Sequence, residues 1–345
     1  MTQSLHADAV AAARTLAQLN TAYTQAKVLH SAVELGLFEA LASGPATADA
    51  LCQRLGLHPR LAPDFLGALV GLDLLEYRDG QYHNARPAQV LLVPGGPLSL
   101  NGSIRQHGKV HYGLWADLTD ALRDGRAKSG PQTPAGAVTT EQTDLDAARR
   151  FMAHMDSFNS IVAPELAQKV DWSKYRTFVD VGGARGNLSG LLVKAHPHLS
   201  GTVFDVPGLR PLFDEHMETL GTTGKVGFQG GDFFSDPLPE ADVVIFGHVL
   251  HDWPEEARKK LIERAFPAVR PGGALLVYDA MIEDGGFDAH AHLQSLICSL
   301  MRDGGSEYTE GAAREWAEKA GFRAQDVLRL NTVTNDRLLI AVKDA

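Results

Sequence analysis

The sequence contains little cysteine, little basic charge and no long apolar run. Only two cysteines occur among its 345 residues, Cys52 and Cys298. They allow neither a disulfide framework nor a cysteine-based metal site, and a reducing cytoplasm is expected. The net charge of −10 argues against general affinity for nucleic acid, which needs a basic surface. No run approaches the ~20 apolar residues that span a bilayer, and the first residues lack a signal-peptide layout. We therefore expect a globular protein for a neutral or cationic small ligand.

Residues 1–100 are rich in Ala and Leu and predict helices followed by a hairpin. Apolar spacing favours helices over 22–41, 47–55 and 60–72, and Asp79-Gly80 marks a tight hairpin turn. This is a winged-helix layout, which often binds DNA. Residues 1–105, however, carry seven Lys or Arg and eight Asp or Glu. DNA binding is therefore disfavoured, and we expect the apolar first helices to pack against a second copy in a homodimer.

Residues 101–170 predict a second helical stretch. Helices are expected over 109–123 and 145–170, with a mobile or lid-like Gly/Pro/Ser/Thr loop over 125–140. The second helix presents Phe151, Met155 and Phe158 at helical spacing. Such a stripe is typical of a core face, but Met and Phe also suit a flat aromatic ligand. We therefore name these three residues, with Met301, as candidate pocket residues.

Residues 171–345 alternate strand and helix. The predicted strands cover 177–182, 201–206, 225–229, 242–249, 274–280, 322–330 and 337–343. Five strand–helix repeats predict an α/β fold with a parallel, doubly wound sheet. Only a short turn separates the last two strands, so they must be antiparallel. The predicted domains are thus 1–100, 101–170 and 171–345.

A glycine-rich turn, DVGGARGN, follows the first of these strands. Gly182, Gly183 and Gly186 let the backbone approach a ligand at a helix start. Asp180, at the strand end, disfavours a pyrophosphate and favours a cationic ligand. S-adenosylmethionine carries a sulfonium and an ammonium and no phosphate, so it fits this turn.

Two more acids follow the next two strands. Asp205 ends the second strand, where a carboxylate can accept hydrogen bonds from ribose hydroxyls. Asp232 follows the third strand and could accept from an adenine amino group, while Phe233 could pack on the ring. Helix capping explains one such acid easily, but three acids after three consecutive strands favour a nucleoside site.

The segment DVVIFGHVLHDW places His251 at the carboxyl end of the fourth strand, where ligands bind in open α/β sheets. Histidine exchanges a proton near neutral pH. Asp279, at the end of the fifth strand, or Glu307 could hold one imidazole nitrogen while the other takes a proton. Spacing alone leaves open which carboxylate contacts His251. Asp252 is expected to support the start of the following helix.

These motifs, with FDVPG, GDFF, RPGGALLVYD and GGSEYT, resemble the S-adenosylmethionine-dependent O-methyltransferases of the plant phenolic and bacterial aromatic-polyketide type, over nearly the full length. The resemblance implies a Rossmann-like methyltransferase domain and an N-terminal dimerisation domain. It implies His251 as general base, flanked by Asp279 and Glu307. It also implies cofactor contacts from Gly182–Gly186, Asp205, Asp232, Phe233 and Trp253.

Three positions depart from the family pattern. Ala184 replaces a common glycine, so its φ is expected to be negative. Gly247, a candidate cofactor contact, stands where plant relatives often have a lysine. Asp279 stands where many relatives have glutamate, and its shorter reach favours Glu307 as the close partner of His251.

The predicted function is methyl transfer from S-adenosylmethionine to a phenolic hydroxyl of an aromatic polyketide or a hydroxynaphthoate, releasing S-adenosylhomocysteine and using no metal. Arg302 or a partner's Arg14 could pair with a substrate carboxylate, although each is more readily explained as a surface charge. Three alternatives stay open: a cofactor-binding relative that performs hydroxylation or decarboxylation, an N- or C-methyltransferase, and a ligand-sensing DNA regulator.

Overall fold

The computed structural model describes residues 2–130, 145–325 and 327–345, with side chains from residue 8 onward. They form two compact units, Met1–Lys109 and Val110–Ala345. The predicted three-part division stays a prediction, and the predicted mobile loop 125–140 lies mostly outside the described residues. None of the described helices combines the length and apolar composition needed to cross a membrane.

The first unit is helical with one hairpin. Its elements are α1 (Thr2–Glu34), α2 (Leu37–Ala42), α3 (Ala48–Leu55), α4 (Ala62–Gly71), β1 (Leu75–Arg78), β2 (Gln81–Asn84), α5 (Arg86–Leu91) and α6 (Asn101–Gln106). Asp79 and Gly80 both have positive φ, which matches the predicted tight turn. The single helix predicted over 22–41 is wrong. Gly36, with φ +72°, separates α1 from α2 because a left-handed residue interrupts the hydrogen-bond ladder.

The second unit begins with an irregular helical run. A π-helical turn (His107–His111) crosses the unit boundary, and it is followed by α7 (Tyr112–Leu114), a 3₁₀ turn (Trp115–Asp117), α8 (Leu118–Asp124) and α9 (Leu145–Lys169). The continuous helix predicted over 109–123 is therefore interrupted. In α9, Met152, His154 and Ser157 are buried, while Phe151 is 44% exposed. The predicted core stripe is thus wrong at Phe151, because the buried face is rotated by about one residue.

The remaining elements build a mixed sheet with helices around it. In chain order they are β3 (Thr177–Val181), α10 (Asn187–Ala195), β4 (Ser200–Asp205), α11 (Arg210–Leu220), β5 (Val226–Gly230), β6 (Ala241–Gly247), α12 (Glu255–Ala268), β7 (Val269–Asp279), α13 (Ala289–Met301), α14 (Glu310–Lys319), β8 (Arg323–Ala324), β9 (Leu328–Arg329) and β10 (Arg337–Val342). Short 3₁₀ turns cover Trp172–Lys174, Pro207–Leu209 and Leu250–Asp252.

The sheet confirms the predicted α/β class. Its order is β5-β4-β3-β6-β7-β10-β8, with β9 also paired to β10. Strands β3 to β7 pair in parallel. The last strand, β10, is antiparallel to β8 and β9, as the short turn predicts, and it is also antiparallel to β7. The single strand predicted over 322–330 is instead two short pieces, β8 and β9. Buried apolar side chains from both faces of the sheet form two core clusters.

The strand order decides where a ligand can bind. The chain passes from β3 outward to β5 and then returns to place β6 on the other side of β3. This reversal makes the β3–β6 crevice the switch point where open α/β sheets bind ligands. The glycine turn leaves β3 and the His251 segment leaves β6, so both begin at this crevice.

Candidate active site

The glycine turn connects β3 to α10. Gly182 and Gly186 have φ of +73° and +79°, conformations that side-chain-bearing residues rarely adopt. A Cβ at Gly183 would lie 2.6 Å from Cγ of Asp180. The turn therefore needs glycine both for its path and for the close approach of the Asp180 carboxyl group.

Ala184 corrects the expectation of a negative φ, because its φ is +52°. Its backbone N–H donates to Oδ2 of Asp205 at 2.8 Å. This hydrogen bond joins the turn after β3 to the end of β4. The left-handed conformation costs an L-residue about 1–2 kcal/mol, so the surrounding contacts hold Ala184 in a strained state.

Replacing Ala184 with glycine is expected to raise the thermal unfolding midpoint of the protein. Glycine relieves the strain but loses more backbone entropy on folding, which leaves a gain of about 0.5–1 kcal/mol. Differential scanning calorimetry measures it. The control is Ala11→Gly in exposed α1, which should lower stability by about 1 kcal/mol. A lower midpoint for Ala184→Gly would contradict the strain.

The two strand-end acids are ionisable groups in a low-dielectric setting. Asp180 accepts a hydrogen bond from Ser189 Oγ at 2.8 Å, and burial raises its pKa to about 7. Asp205 also accepts from the Val206 N–H at 2.7 Å, and burial raises its pKa to about 6. A nearby cation or hydroxyl donors would stabilise the charged form of both carboxyl groups. The donor set and the glycine cradle therefore fit S-adenosylmethionine.

The two candidate cofactor contacts after β5, Asp232 and Phe233, have different surroundings. Asp232 is exposed, and its carboxylate accepts from Phe234 N–H at 2.9 Å and Ser235 Oγ at 3.2 Å. Asp232 therefore caps its own turn, and capping was the alternative to a nucleoside contact for the strand-end acids. Phe233 is half-buried and packs edge-on to Trp253, with ring centroids 5.9 Å apart. A Cβ at Gly182 would lie 3.9 Å from Phe233, so this ring lies against the glycine turn.

Gly247, at the end of β6, is required by packing. A Cβ there would lie 2.0 Å from Cζ of Tyr278 and 2.1 Å from its hydroxyl oxygen. Tyr278 is buried on the neighbouring strand β7. The tyrosine therefore occupies the space that any larger residue at position 247 would need, and this accounts for the missing lysine.

His251 and both predicted carboxylates meet in the structure. Nδ1 of His251 is 2.8 Å from Oε1 of Glu307 and 3.2 Å from Oδ1 of Asp279. All three residues are buried. Asp279 also accepts a hydrogen bond from the Tyr308 hydroxyl at 2.6 Å. Glu307 is the closer partner, and Nδ1 as the donor leaves Nε2 as the proton acceptor.

The carboxylates strengthen this imidazole as a base. Burial by itself would lower the pKa of His251, but Cys298, Asp279 and Glu307 raise it well above 6.5. Burial raises the pKa of the Cys298 thiol above 9.0. The thiol is therefore neutral at pH 7, and the carboxylates account for the effect on His251. Burial also raises the pKa of Asp279 to about 7, against the opposing charge of His251.

Cys298 is a site residue that sequence reasoning missed. One donor atom each from His251, Cys298 and Glu307 lie within 4.8 Å of one another, as do those of His248, His251 and Asp279. No sequence spacing indicated such clusters, because α13 and the loop after it are distant from β6 in the chain. The expectation that the protein uses no metal stays a prediction.

Arg258 is a second missed residue. It is buried in α12, and its Nε donates to the carbonyl oxygens of Leu250 at 3.0 Å and Trp253 at 2.6 Å. One of its terminal nitrogens donates to the Ser306 carbonyl oxygen at 2.8 Å. Arg258 therefore joins the loop that carries His251 to the loop that carries Glu307. Its only sequence signal was a basic residue seven positions after His251.

The candidate substrate-pocket residues lie on or next to different helices and differ in exposure. Met155 and Phe158 are half-buried, and Met301 packs with Leu300. Arg14 is exposed on α1 of the first unit. Arg302 lies 4.7 Å above the Trp253 ring, and its guanidinium is 3.6 Å from Oδ2 of Asp252.

Two of the expectations for these side chains need correction. The expectation that Asp252 supports the start of the next helix is wrong, because α12 begins after Pro254 without a side-chain cap. Asp252 pairs with Arg302 instead. A surface charge does not describe Arg302 either, because its side chain is 26% exposed and held by two partners.

The structure also places a row of rings beside His251. His248 lies 5.8 Å from His251 and 6.0 Å from Phe158, and Phe158 lies 4.9 Å from His154 (ring centroids). His154 in turn lies 5.5 Å from His111. Sequence reasoning missed these three histidines because each looks like an isolated residue of a helix or loop.

Comparison with known proteins assigns this arrangement to a family. A family model described as O-methyltransferase domain matches residues 115–323, and one described as O-methyltransferase dimerisation domain matches 17–94. The N,N-dimethyltransferase OxyT of Streptomyces rimosus is 48% identical, covering 97% of each chain. The tetracenomycin polyketide synthesis 8-O-methyl transferase TcmO of Streptomyces glaucescens is 46% identical, covering 88% of this chain and 90% of TcmO.

A similar solved structure is also that of a methyltransferase. Human N-acetylserotonin methyltransferase in complex with S-adenosylmethionine superposes with a TM-score of 0.88 at 27% identity, covering 97% of this chain and 98% of that one. The glycine turn, the strand-end acids and the buried His251 cluster lie in the part that the O-methyltransferase domain model matches. The chain therefore belongs to the O-methyltransferase family of S-adenosylmethionine-dependent methyltransferases, and S-adenosylmethionine is its cofactor.

Proposed function

We propose that the protein methylates a phenolic hydroxyl of an aromatic polyketide-type natural product in antibiotic biosynthesis, with His251 as general base. The observation that carries the proposal is the buried imidazole whose Nδ1 lies 2.8 Å from Oε1 of Glu307. Such a pair keeps Nε2 as the proton acceptor and stabilises the imidazolium that forms. The name of TcmO, a polyketide O-methyl transferase, supports this substrate class.

The mechanism follows from what these side chains can do. A free phenol has a pKa of about 10 and is mostly neutral at pH 7. His251 takes the phenolic proton at Nε2, and Glu307 and Asp279 stabilise the resulting cation. Bound S-adenosylmethionine supplies the electrophilic methyl group. Asp180, Asp205 and the glycine turn hold the cofactor, and positioning the two reactants contributes up to ~7–11 kcal/mol in ideal cases.

A methyl-transfer screen tests the proposal. The purified enzyme is incubated with methyl-labelled S-adenosylmethionine and polycyclic phenols with and without a carboxylate. We expect labelled methyl ethers from at least one phenol. Labelled product from neither set would contradict the proposal and favour a reaction such as hydroxylation or decarboxylation.

A second candidate is methylation of an amine on a polyketide-type acceptor. The observation that favours it is the 48% identity with OxyT, whose name describes an N,N-dimethyltransferase. Aminated analogues of the same polycyclic acceptors distinguish the two candidates. Mass spectrometry that locates the methyl group on nitrogen, with no reaction of the matching phenol, would replace O-methylation by N-methylation.

The pH dependence of kcat/KM tests the electrostatics of His251. Because its pKa is raised above 6.5, the base is protonated at low pH, and kcat/KM should rise with pH through a limb above 6.5. Glu307→Gln removes one of the charges that raise this pKa. The limb should therefore move to lower pH, and kcat should fall about tenfold or more because the imidazolium is less stabilised.

The control for this profile is Glu315→Gln, which changes an exposed carboxylate paired with Lys319. It should leave both the limb and kcat unchanged. A limb that stays in place in Glu307→Gln would show that the titrating group is not the imidazole beside Glu307.

We also propose that the chain forms a homodimer through its first unit. Leu16, Leu19 and Tyr23 of α1 are 66%, 74% and 59% exposed, which is a large apolar surface for one helix. The match to the dimerisation domain model supports the same proposal. Sedimentation velocity measures the assembly state, and a monomer at micromolar concentration would contradict it.

A further inference from the structure

His248 and Asp336 form a buried pair beside the proposed base. Nε2 of His248 is 3.4 Å from Oδ1 of Asp336, and the side chains are 5% and 0% exposed. Asp336 precedes β10, and its Oδ2 accepts a hydrogen bond from Thr334 Oγ1 at 2.8 Å. The proposed mechanism uses neither residue.

The pair lies where the acceptor has to be. The His248 imidazole is 5.8 Å from that of His251, at an interplanar angle of 86°. It stacks on Phe158 at 6.0 Å and lies 5.2 Å from Tyr278. His248 also follows Gly247 at the carboxyl end of β6, in the crevice that holds the cofactor candidates.

Packing alone does not account for this pair. The backbone of His248 has φ +53°, a strained state that is typically stored at functional sites. Burying an imidazole with a carboxylate has a desolvation penalty. Burial by itself would lower the pKa of His248, but Asp336 raises it, and the pKa of Asp336 is lowered by His248, Thr332 and Thr334 against burial. Each side chain therefore favours the charged form of the other.

The Nδ1 atom of His248 is available for a hydrogen bond to a ligand. Nε2 faces Asp336, whereas Nδ1 makes no hydrogen bond within the part of the chain that the structure describes. In the charged imidazolium both nitrogens donate. An imidazolium N–H binds an electron-rich oxygen through a charge-assisted hydrogen bond.

We propose that His248, held by Asp336, binds a second oxygen of the acceptor, so that the substrates are aromatic compounds with an oxygen near the methylated position. This inference rests on the proposed function, because it assumes that the acceptor reaches His251. The second oxygen is a neighbouring hydroxyl, ketone or carboxylate. His251 then accepts the proton, and His248 determines which hydroxyl of the acceptor lies next to His251.

Acceptor binding tests the proposal without requiring turnover. The native enzyme is saturated with S-adenosylhomocysteine and titrated calorimetrically with a naphthol and with the peri-dihydroxynaphthalene. We expect the native enzyme to bind the dihydroxy compound about tenfold more tightly. His248→Asn, which tolerates the left-handed backbone, and Asp336→Asn should both reduce this preference to less than about threefold.

Three observations keep the test decisive. The control His290→Ala changes an exposed histidine of α13 and should keep the preference. Affinity for S-adenosylhomocysteine should be unchanged in all variants, which separates an acceptor effect from misfolding. No preference in the native enzyme, no binding of either compound, or a full preference in both variants would overturn the proposal. Failure of methyl transfer with the binding preference intact would instead count against the proposed function.

Discussion

Replacement of His251 by alanine is expected to lower kcat for methyl transfer by about 10²–10⁴-fold, the range typical of a lost general base. Nδ1 of His251 is 2.8 Å from Oε1 of Glu307 and 3.2 Å from Oδ1 of Asp279. The imidazole thus has its proton acceptor and its stabilising charges in place. Without it, the phenol has to lose its proton to water. Single-turnover measurement with labelled cofactor gives the rate of the chemical step.

The His251 test needs a variant that preserves the fold. His251→Ala leaves two buried carboxylates without their cation, which can cost about 3–5 kcal/mol. His251→Asn keeps an N–H donor for Glu307 and should lose activity to a similar extent. Affinity for S-adenosylmethionine should stay within about threefold of native in both variants. A variant with native kcat would remove His251 from the mechanism, whereas His290→Ala should behave like the native enzyme.

Asp205→Ala is expected to weaken S-adenosylmethionine binding by about 10–100-fold, since hydrogen bonds to a charged group contribute about 1.5–3 kcal/mol. Asp205 accepts from the Ala184 and Val206 N–H groups, so its loss also loosens the glycine turn. Calorimetric titration measures the Kd. The matched control is Asp214→Asn, which changes an exposed carboxylate paired with Arg210 and should leave the Kd unchanged.

The same site should make cofactor affinity dependent on pH. Burial raises the pKa of Asp205 to about 6 and that of Asp180 to about 7, so both acids lose charge as the pH falls through this window. Binding should therefore tighten between about pH 5.5 and 7, below the pKa of the cofactor's own α-amino group. Equal affinity at both ends of this range, or a native Kd in Asp205→Ala, would exclude these acids from the cofactor site.

Local signals in the chain were sufficient for much of the architecture. The alternation of strands and helices, the glycine turn and the Asp79-Gly80 hairpin are read from near neighbours. The antiparallel pairing of β10 with the strand pieces just before it follows because a short turn cannot make a parallel crossover. Errors occurred where the sequence pattern permits several paths, as in the continuous helix predicted across Gly36 and the core stripe predicted to include Phe151. Periodicity reports a tendency, whereas the choice of buried face depends on what packs against the helix.

The sequence by itself determined the family, the fold class and the identity of His251, Asp279 and Glu307 as candidate residues, because these depend on motifs at the ends of strands. Only the tertiary structure decided that both carboxylates share Nδ1 of His251, that Arg258 ties their loops together, and that His248 pairs with Asp336. These contacts join residues up to 88 positions apart in the chain. Their distances depend on how β6, β7 and β10 align in the sheet and on the loops that follow. No local pattern of residues encodes that alignment.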